Sequence, residues 1–110
     1  MERTYNKLVR DKIPDIIKEN GEVPITRELD LQQYKLALEE KLKEECKEVI
    51  DACGQERVEE LADVLEILRA LAKLENSTLE NVIAVADQKS AKRGGFKKKI
   101  FLEKVIAKSE

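Results

Sequence analysis

The chain has 110 residues, the length of one domain, with 42% hydrophobic and 40% charged residues but only four glycines and two prolines. This composition is typical of a small helical protein with a surface rich in Glu and Lys, and it argues against a β-sandwich. The net charge of −2, from 21 basic and 23 acidic side chains, provides no overall field that would attract nucleic acid or an anionic membrane.

No apolar run reaches the roughly 18 residues that a membrane span requires. The first residues, "MERTYNKLVRDK", lack the apolar stretch of a signal peptide. The lysine run 97–99 is interpreted as a solvated edge. We therefore expect a single domain over residues 1–110, located in the cytoplasm, with neither a membrane nor a nucleic acid as its partner.

The first half of the chain predicts a short helix and a long one. The segment "KIPDIIKENG" has Pro14 near its first turn and Gly21 just past its end, as short helices commonly do. The segment "GEVPITRELD" reads as a connection. A long helix is expected from about Leu31 to Ala52, and Gly54 stands where the end of a helix favours a left-handed residue.

The second half predicts two more long helices. One runs from about Glu56 to Leu74. The next begins after Ser77, which forms a capping-box pattern with Glu80, and runs to about Lys92 before a pair of glycines. The tail "FKKKIFLEKVIAKSE" is compatible with a strand or a short helix, because its periodicity does not distinguish them. The expected fold is all-α, a four-helix-type bundle, with a short C-terminal extended segment as an option.

The two cysteines are poor candidates for a disulfide or a zinc site. Cys46 and Cys53 are seven residues apart on one predicted helix, which separates their Cα atoms by about 10 Å, beyond the disulfide range. The chain has no histidine to complete a zinc site. We expect both cysteines to be small core or interface residues.

One acid lies among the apolar side chains of the first long helix. At about 100° per residue, Leu38 and Val49 belong to one apolar face. Glu45 falls inside this face and Glu48 at its margin, whereas Lys47 points well away from it.

The second long helix is apolar around more than half of its circumference, which divides into two sectors. The first, here the Leu61 sector, contains Val58, Leu61, Leu65, Leu68 and Ala72. The second, here the Ile67 sector, contains Val64, Ile67, Leu71 and Leu74. An antiparallel bundle buries a stripe of only about 100° per helix. We therefore expect a homo-oligomer, at least a symmetric dimer and with a tetramer as an option.

Two acids of this helix lie in or beside the Ile67 sector. Glu60 and Asp63 occupy these positions, whereas Glu59 and Glu66 lie on the polar arc. An ionised carboxylate away from water requires a cation or a proton. The Glu45/Glu48 and Glu60/Asp63 pairs are each spaced i,i+3, so two antiparallel helices would direct both pairs to one place. Oxygen ligands alone favour Mg²⁺ or Mn²⁺. The alternative is that these acids pair with Lys and Arg on a solvated surface.

The two motifs, "EECKE" and "EELAD", resemble the metal-binding signature of the all-α nucleoside triphosphate pyrophosphohydrolases, the MazG-like superfamily. The opening "YNKLVRDKIPDIIKENG" and the later "KRGGF" resemble its short phosphoribosyl-ATP pyrophosphohydrolase-like branch. This resemblance implies a four-helix-type fold, dimers or tetramers, and Mg²⁺-dependent cleavage of a nucleotide between its α and β phosphates. The physiological role of such an enzyme stays open between the removal of damaged nucleotides and a narrower function.

The resemblance also implies roles for individual residues. It makes Glu45, Glu48, Glu60 and Asp63 metal ligands, with Glu45 also catalytic, and Glu44 a catalytic acid that orients water or assists a second metal. The basic residues that it implies for substrate binding are Lys7, Arg10, Lys89, Lys92 and Arg93. Two alternatives stay open, namely the phosphoribosyl-ATP pyrophosphohydrolase of histidine biosynthesis and a non-enzymatic helical interaction module.

Overall fold

A computed structural model describes residues 1–109 of the chain. These residues form four helices and no strand, which confirms the all-α prediction. The helices are α1 (Ile13–Glu19), α2 (Leu31–Asp51), α3 (Gly54–Leu74) and α4 (Leu79–Arg93). None of these helices has the combination of length and apolar character that a membrane crossing requires. Residues 94–109 belong to neither a helix nor a strand.

The chain divides into two compact units, residues 1–79 and residues from 80 onward. The first contains α1, α2 and α3, and the second contains all but the first residue of α4. Every described residue of the second unit is exposed, including apolar side chains such as Val82, Ile83, Phe96 and Phe101.

Helix α1 begins and ends as its sequence predicts. Pro14 lies in its first turn, where the missing N–H group costs no intrahelical bond. Gly21 follows the helix with a φ of +83°, a left-handed conformation that glycine adopts without a Cβ clash. The next N–H group, that of Glu22, donates to the carbonyl of Ile17 at 3.1 Å, which closes the helix end.

Helix α2 begins with a capping box that we had not predicted. The Asp30 carboxylate accepts a hydrogen bond from the backbone N–H of Gln33 at 2.8 Å. The Gln33 side chain in return accepts one from the backbone N–H of Asp30 at 3.4 Å. This reciprocal pair satisfies two N–H groups that a helix start leaves free, and it fixes where α2 begins.

A link of two residues, Ala52 and Cys53, joins α2 to α3. Gly54 has the expected left-handed conformation, with a φ of +60°, but it is the first residue of α3 and does not end α2. Arg57 reinforces the turn, because its Nε–H donates to the carbonyls of Val49 at 3.1 Å and Ala52 at 2.9 Å. Val49 lies in the last turn of α2 and Ala52 is the residue that caps it, so neither carbonyl has a later turn of helix to satisfy it.

The core of the first unit lies where α2 and α3 pack together as an antiparallel pair. The buried apolar residues are Leu38, Ile67, Ala72 and Leu79. The Ile67 sector is the covered side of α3, since Val64, Leu71 and Leu74 are also partly buried. The Leu61 sector is open at its N-terminal end, where Val58, Leu61 and Leu65 are exposed.

The cysteines differ from expectation in one respect. Both Cys46 and Cys53 are free thiols, as the spacing argument predicts, but both are exposed and neither belongs to the core. For Cys53 the reason is its place in the link between the helices. Cys46 lies at the edge of the predicted apolar face of α2, and Leu38 and Val49 are better covered.

Candidate metal centre

Three carboxylates from α2 and α3 converge in the first unit. Glu45, Glu60 and Asp63 each place one oxygen within 4.8 Å of the others, and all three are partly buried. Glu45 comes from α2, and the other two come from successive turns of one face of α3. We call this group the carboxylate cluster.

The antiparallel helix pair accounts for the convergence. The short link at Ala52 and Cys53 places the C-terminal half of α2 beside the N-terminal half of α3. Glu45 lies six residues before the end of α2, and Glu60 lies six residues after the start of α3, so the two are at a similar height in the pair. Residues that the sequence pattern places on two separate helices therefore share one site.

Two of the three acids have a cation beside them. Lys41 Nζ lies 3.8 Å from Glu45 Oε1, in an i,i+4 pair whose side chains are only 21% and 17% exposed. Arg10 Nη2 donates to Asp63 Oδ1 at 2.7 Å, with the side chains 55% and 44% exposed. The interpretation of these acids as members of surface ion pairs thus applies in part to Glu45 and Asp63.

Glu60 differs from both, because no described Lys or Arg forms an ion pair with it. The pKa of Glu60 is raised above its ordinary value of 4.5, first by desolvation and then by the negative charge of Glu48. A hydrogen bond with Glu45 and the charges of Glu45 and Asp63 raise it further. Each of these influences opposes ionisation of Glu60, and a nearby cation would offset them by favouring the ionised form.

The donor set fits a hard divalent cation. Two oxygens bound at about 2.1 Å to one Mg²⁺ can be at most about 4.2 Å apart. The three carboxylate oxygens lie within 4.8 Å of one another, and small side-chain rotations can remove the excess over about 4.2 Å. The cluster contains carboxylate oxygens only, which suit Mg²⁺ and Mn²⁺ better than zinc.

An open cleft of about 470 Å³ adjoins the cluster at Glu60. Its lining is mostly acidic and comes from the end of α2 and the start of α3, namely Glu44, Lys47, Glu48, Asp51, Ala52, Glu56 and Glu60. A cleft with this lining repels a free polyphosphate and favours species that carry cations.

The structure brings together three of the four predicted metal ligands. Glu48 is exposed, and its carboxylate is not among the three oxygens within 4.8 Å. It lies close enough to raise the pKa of Glu60, and it lines the cleft with Glu60 and Glu44. Glu44, predicted to be the adjacent catalytic acid, is also exposed there.

The predicted substrate-binding residues lie in different parts of the chain. Arg10 contacts the cluster through Asp63. Lys7 is exposed, with its Nζ 5.5 Å from the ring centroid of Tyr5. Lys89, Lys92 and Arg93 are exposed on α4 in the second unit. Their predicted role in binding phosphate stays a prediction.

Two lysines near the acids were not predicted to be site residues. Lys41 pairs with Glu45, which the i,i+4 spacing of the two residues indicates. Lys47 was placed away from the apolar face, yet it lines the cleft beside Glu44 and Glu48. The signal for Lys47 was its i,i+3 spacing from Glu44, which places both on one side of α2.

Comparison of the chain with protein-family models, with curated proteins and with solved structures finds no match in any of the three.

Proposed function

We propose that the chain is a Mg²⁺-dependent nucleotide pyrophosphohydrolase of the MazG-like, four-helix type. It would cleave a nucleoside triphosphate between its α and β phosphates into a monophosphate and pyrophosphate. The observation that carries this proposal is the convergence of Glu45, Glu60 and Asp63 from two antiparallel helices. Glu60 has a raised pKa and forms no ion pair with a Lys or Arg among residues 1–109, so the group favours an added cation.

In this proposal Glu45, Glu60 and Asp63 hold the ion. A bound Mg²⁺ or Mn²⁺ would neutralise phosphate charge and lower the pKa of a water molecule. Glu48, beside Glu60 and exposed to the cleft, would complete the ligand set or serve a second ion. No side chain in the group needs to be a covalent nucleophile.

In this proposal Glu44 would handle the attacking water. It is exposed in the cleft that Glu60 also lines. A carboxylate oxygen of Glu44 would accept a hydrogen bond and then the proton of the water. The water oxygen would bond to the α-phosphorus, and the bond from the α-phosphorus to the α,β-bridging oxygen would break, so that pyrophosphate leaves with that oxygen. Positive side chains would stabilise the charge that develops on the leaving pyrophosphate.

The acidic cleft limits the form in which a substrate arrives. Four glutamates and one aspartate line it, with Lys47 as the single basic residue among the lining side chains. A bare triphosphate would be repelled, so the substrate would bind as a complex with divalent metal. Within the first unit, Lys7 is a further candidate for a contact to phosphate.

The test is pyrophosphate release from a panel of canonical and modified nucleoside triphosphates, with and without Mg²⁺. Phosphoribosyl-ATP belongs in the panel, because it separates the general activity from that of histidine biosynthesis. We expect Mg²⁺-dependent pyrophosphate and monophosphate from at least one compound. No release from any compound, together with no Mg²⁺ or Mn²⁺ binding by calorimetry, would contradict the proposal.

A second candidate is a non-enzymatic helical interaction module. The exposed apolar side chains Val58, Leu61 and Leu65 on α3 favour it, because a partner could cover them. This candidate predicts no role for the carboxylate cluster. Calorimetric binding of Mn²⁺ that is lost in Glu60→Gln would therefore count against it.

A further inference from the structure

Arg10 is the accessible cation of the carboxylate cluster. Its Nη2 donates to Asp63 Oδ1 at 2.7 Å, across 53 residues of sequence. The other basic residue at the cluster, Lys41, has a side chain only 21% exposed, against 55% for Arg10. A ligand that approaches the cluster from solvent therefore meets the guanidinium of Arg10 more readily than the ammonium of Lys41.

The chain around Arg10 anchors its backbone. Leu8, Val9 and Ile13 are partly buried. The carbonyl of Arg10 accepts a hydrogen bond from the N–H of Ile13 at 3.0 Å, in the turn that precedes α1. An anchored backbone reduces the ordering that a ligand would require.

The ion pair with Asp63 uses a small part of what Arg10 offers. A guanidinium has five N–H donors in a rigid planar fork, and Asp63 accepts from Nη2 alone. With the side chain about half exposed, donors remain available to a second acceptor. Phosphate oxygens suit this fork because they can accept two parallel hydrogen bonds.

We propose that Arg10 bridges the metal ligand Asp63 and a phosphate of the metal-bound nucleotide, holding one with Nη2 and the other with its remaining N–H groups. This assignment rests on the proposed pyrophosphohydrolase function, and it gives the N-terminal segment a part in substrate binding. Arg10 would also offset the negative charge of Asp63 beside the polyphosphate.

The bridge predicts that loss of Arg10 affects the binding of two ligands differently. A positive charge beside Asp63 disfavours a second cation, so Arg10 opposes the binding of metal alone. The same charge and its free N–H donors favour metal that carries phosphate. Removing Arg10 should therefore strengthen or preserve binding of the free ion and weaken binding of the ion with pyrophosphate.

The experiment measures binding of Mn²⁺ alone, and of pyrophosphate in the presence of Mn²⁺, by calorimetry on the full chain. For Arg10→Gln we expect unchanged or tighter Mn²⁺ binding and pyrophosphate binding about ten- to 100-fold weaker, the loss typical of hydrogen bonds to charged groups. Arg10→Lys retains the positive charge but lacks the planar fork of N–H donors, so its affinity for pyrophosphate should lie between that of the wild type and that of Arg10→Gln.

The matched control is Arg3→Gln. Arg3 Nη2 donates to Glu22 Oε2 at 2.6 Å, and the two side chains are 56% and 51% exposed, so this ion pair resembles that of Arg10 but involves no cluster residue. Exposed pairs contribute little to stability, and both Gln variants should stay folded by circular dichroism. Arg3→Gln should bind both probes as the wild type does.

Equal weakening of both probes in Arg10→Gln would overturn the bridge, because it would mean that Arg10 only orients Asp63. Wild-type affinity for both probes in Arg10→Gln would also overturn it. In either case wild-type Mn²⁺ binding and pyrophosphate release would leave the proposed function standing. A wild-type protein that binds no Mn²⁺ and releases no pyrophosphate would overturn both.

Discussion

Replacement of Glu60 by glutamine tests the electrostatic state of the carboxylate cluster through the stability of the protein. The substitution preserves the shape of the side chain and removes its charge. Desolvation and the neighbouring charges of Glu48, Glu45 and Asp63 oppose ionisation of Glu60 in the folded chain. These influences are absent in the unfolded chain, so Glu60→Gln should stabilise the metal-free protein at neutral pH.

The sign of the pH dependence follows from the raised pKa. The folded chain binds the proton of Glu60 more tightly than the unfolded chain does. The stabilising contribution of protonated Glu60 is therefore present at low pH and is lost as the pH rises from about 4.5 through the raised pKa. The Glu60→Gln variant does not lose stability in this way as the pH rises, because glutamine does not ionise. Its stability advantage over the wild type should disappear in acid, where Glu60 is protonated in both states.

Divalent metal should stabilise the wild type more than it stabilises Glu60→Gln. A ligand at ten times its dissociation constant stabilises the folded state by about 1.4 kcal/mol. For a chain of this length, that raises the Tm by about 6 °C. Glu60→Gln leaves two of the three converging carboxylates. An affinity about tenfold lower would reduce the shift to about 2 °C at the same metal concentration.

The assay is thermal unfolding followed by circular dichroism, from pH 4 to pH 8, with and without millimolar Mg²⁺ or Mn²⁺. Glu59→Gln is the matched control, because Glu59 is exposed and adjacent in sequence but lies outside the cluster. A wild-type melting curve that does not respond to metal would refute the reasoning. So would an equal metal response in Glu60→Gln and the wild type.

Two further predictions concern the scaffold. Arg57→Ala should lower the free energy of unfolding by about 1 kcal/mol in urea unfolding, because it removes the donor to the carbonyls of Val49 and Ala52. The control, Arg69→Ala, breaks the ion pair with Glu66 and should cost less stability. An equal loss of stability in the two variants would contradict the role of Arg57. Light scattering at micromolar concentration should give at least a dimer, because Leu61 and Leu65 are exposed on α3. Leu65→Glu should then lower the mass, and a monomeric wild type would contradict the prediction.

The helix positions followed from local signals that the sequence displays. Pro14 and Gly21 mark the ends of α1, and the long helices α2, α3 and α4 begin and end within about two residues of their predicted bounds. The capping box of Asp30 and Gln33 was missed, although its spacing is visible, because the segment before it contains Pro and Gly and reads as a connection.

The cluster was predictable to the extent that helical periodicity determines it. Glu45, Glu60 and Asp63 were selected because their angular positions conflict with an apolar surface, and these three converge. Periodicity did not determine which sector of α3 would be covered. The Ile67 sector is covered and much of the Leu61 sector is open, because that choice depends on how α3 packs against α2.

The contact between Arg10 and Asp63 required the fold. The residues are 53 positions apart, and no periodic relation links a turn near the N-terminus to one face of α3. The N-terminal motif identified Arg10 as a candidate for substrate binding but gave it no partner. The place of the residue beside a metal-ligand candidate depends on how residues 7–12 lie in the first unit, and this long-range packing has no signature in a local pattern.

The most direct test of the proposed site compares Mg²⁺-dependent pyrophosphate release by Glu48→Gln and Glu60→Gln with release by two controls, Glu59→Gln and Glu66→Gln. We expect activity to fall by about 100-fold or more in the first two while their helical signal persists, since Glu60 belongs to the carboxylate cluster and Glu48 lines the cleft beside it. The two controls should keep wild-type rates, because Glu59 is exposed outside the cleft and Glu66 pairs with Arg69. Near-normal turnover in both Glu48→Gln and Glu60→Gln would contradict the proposed site.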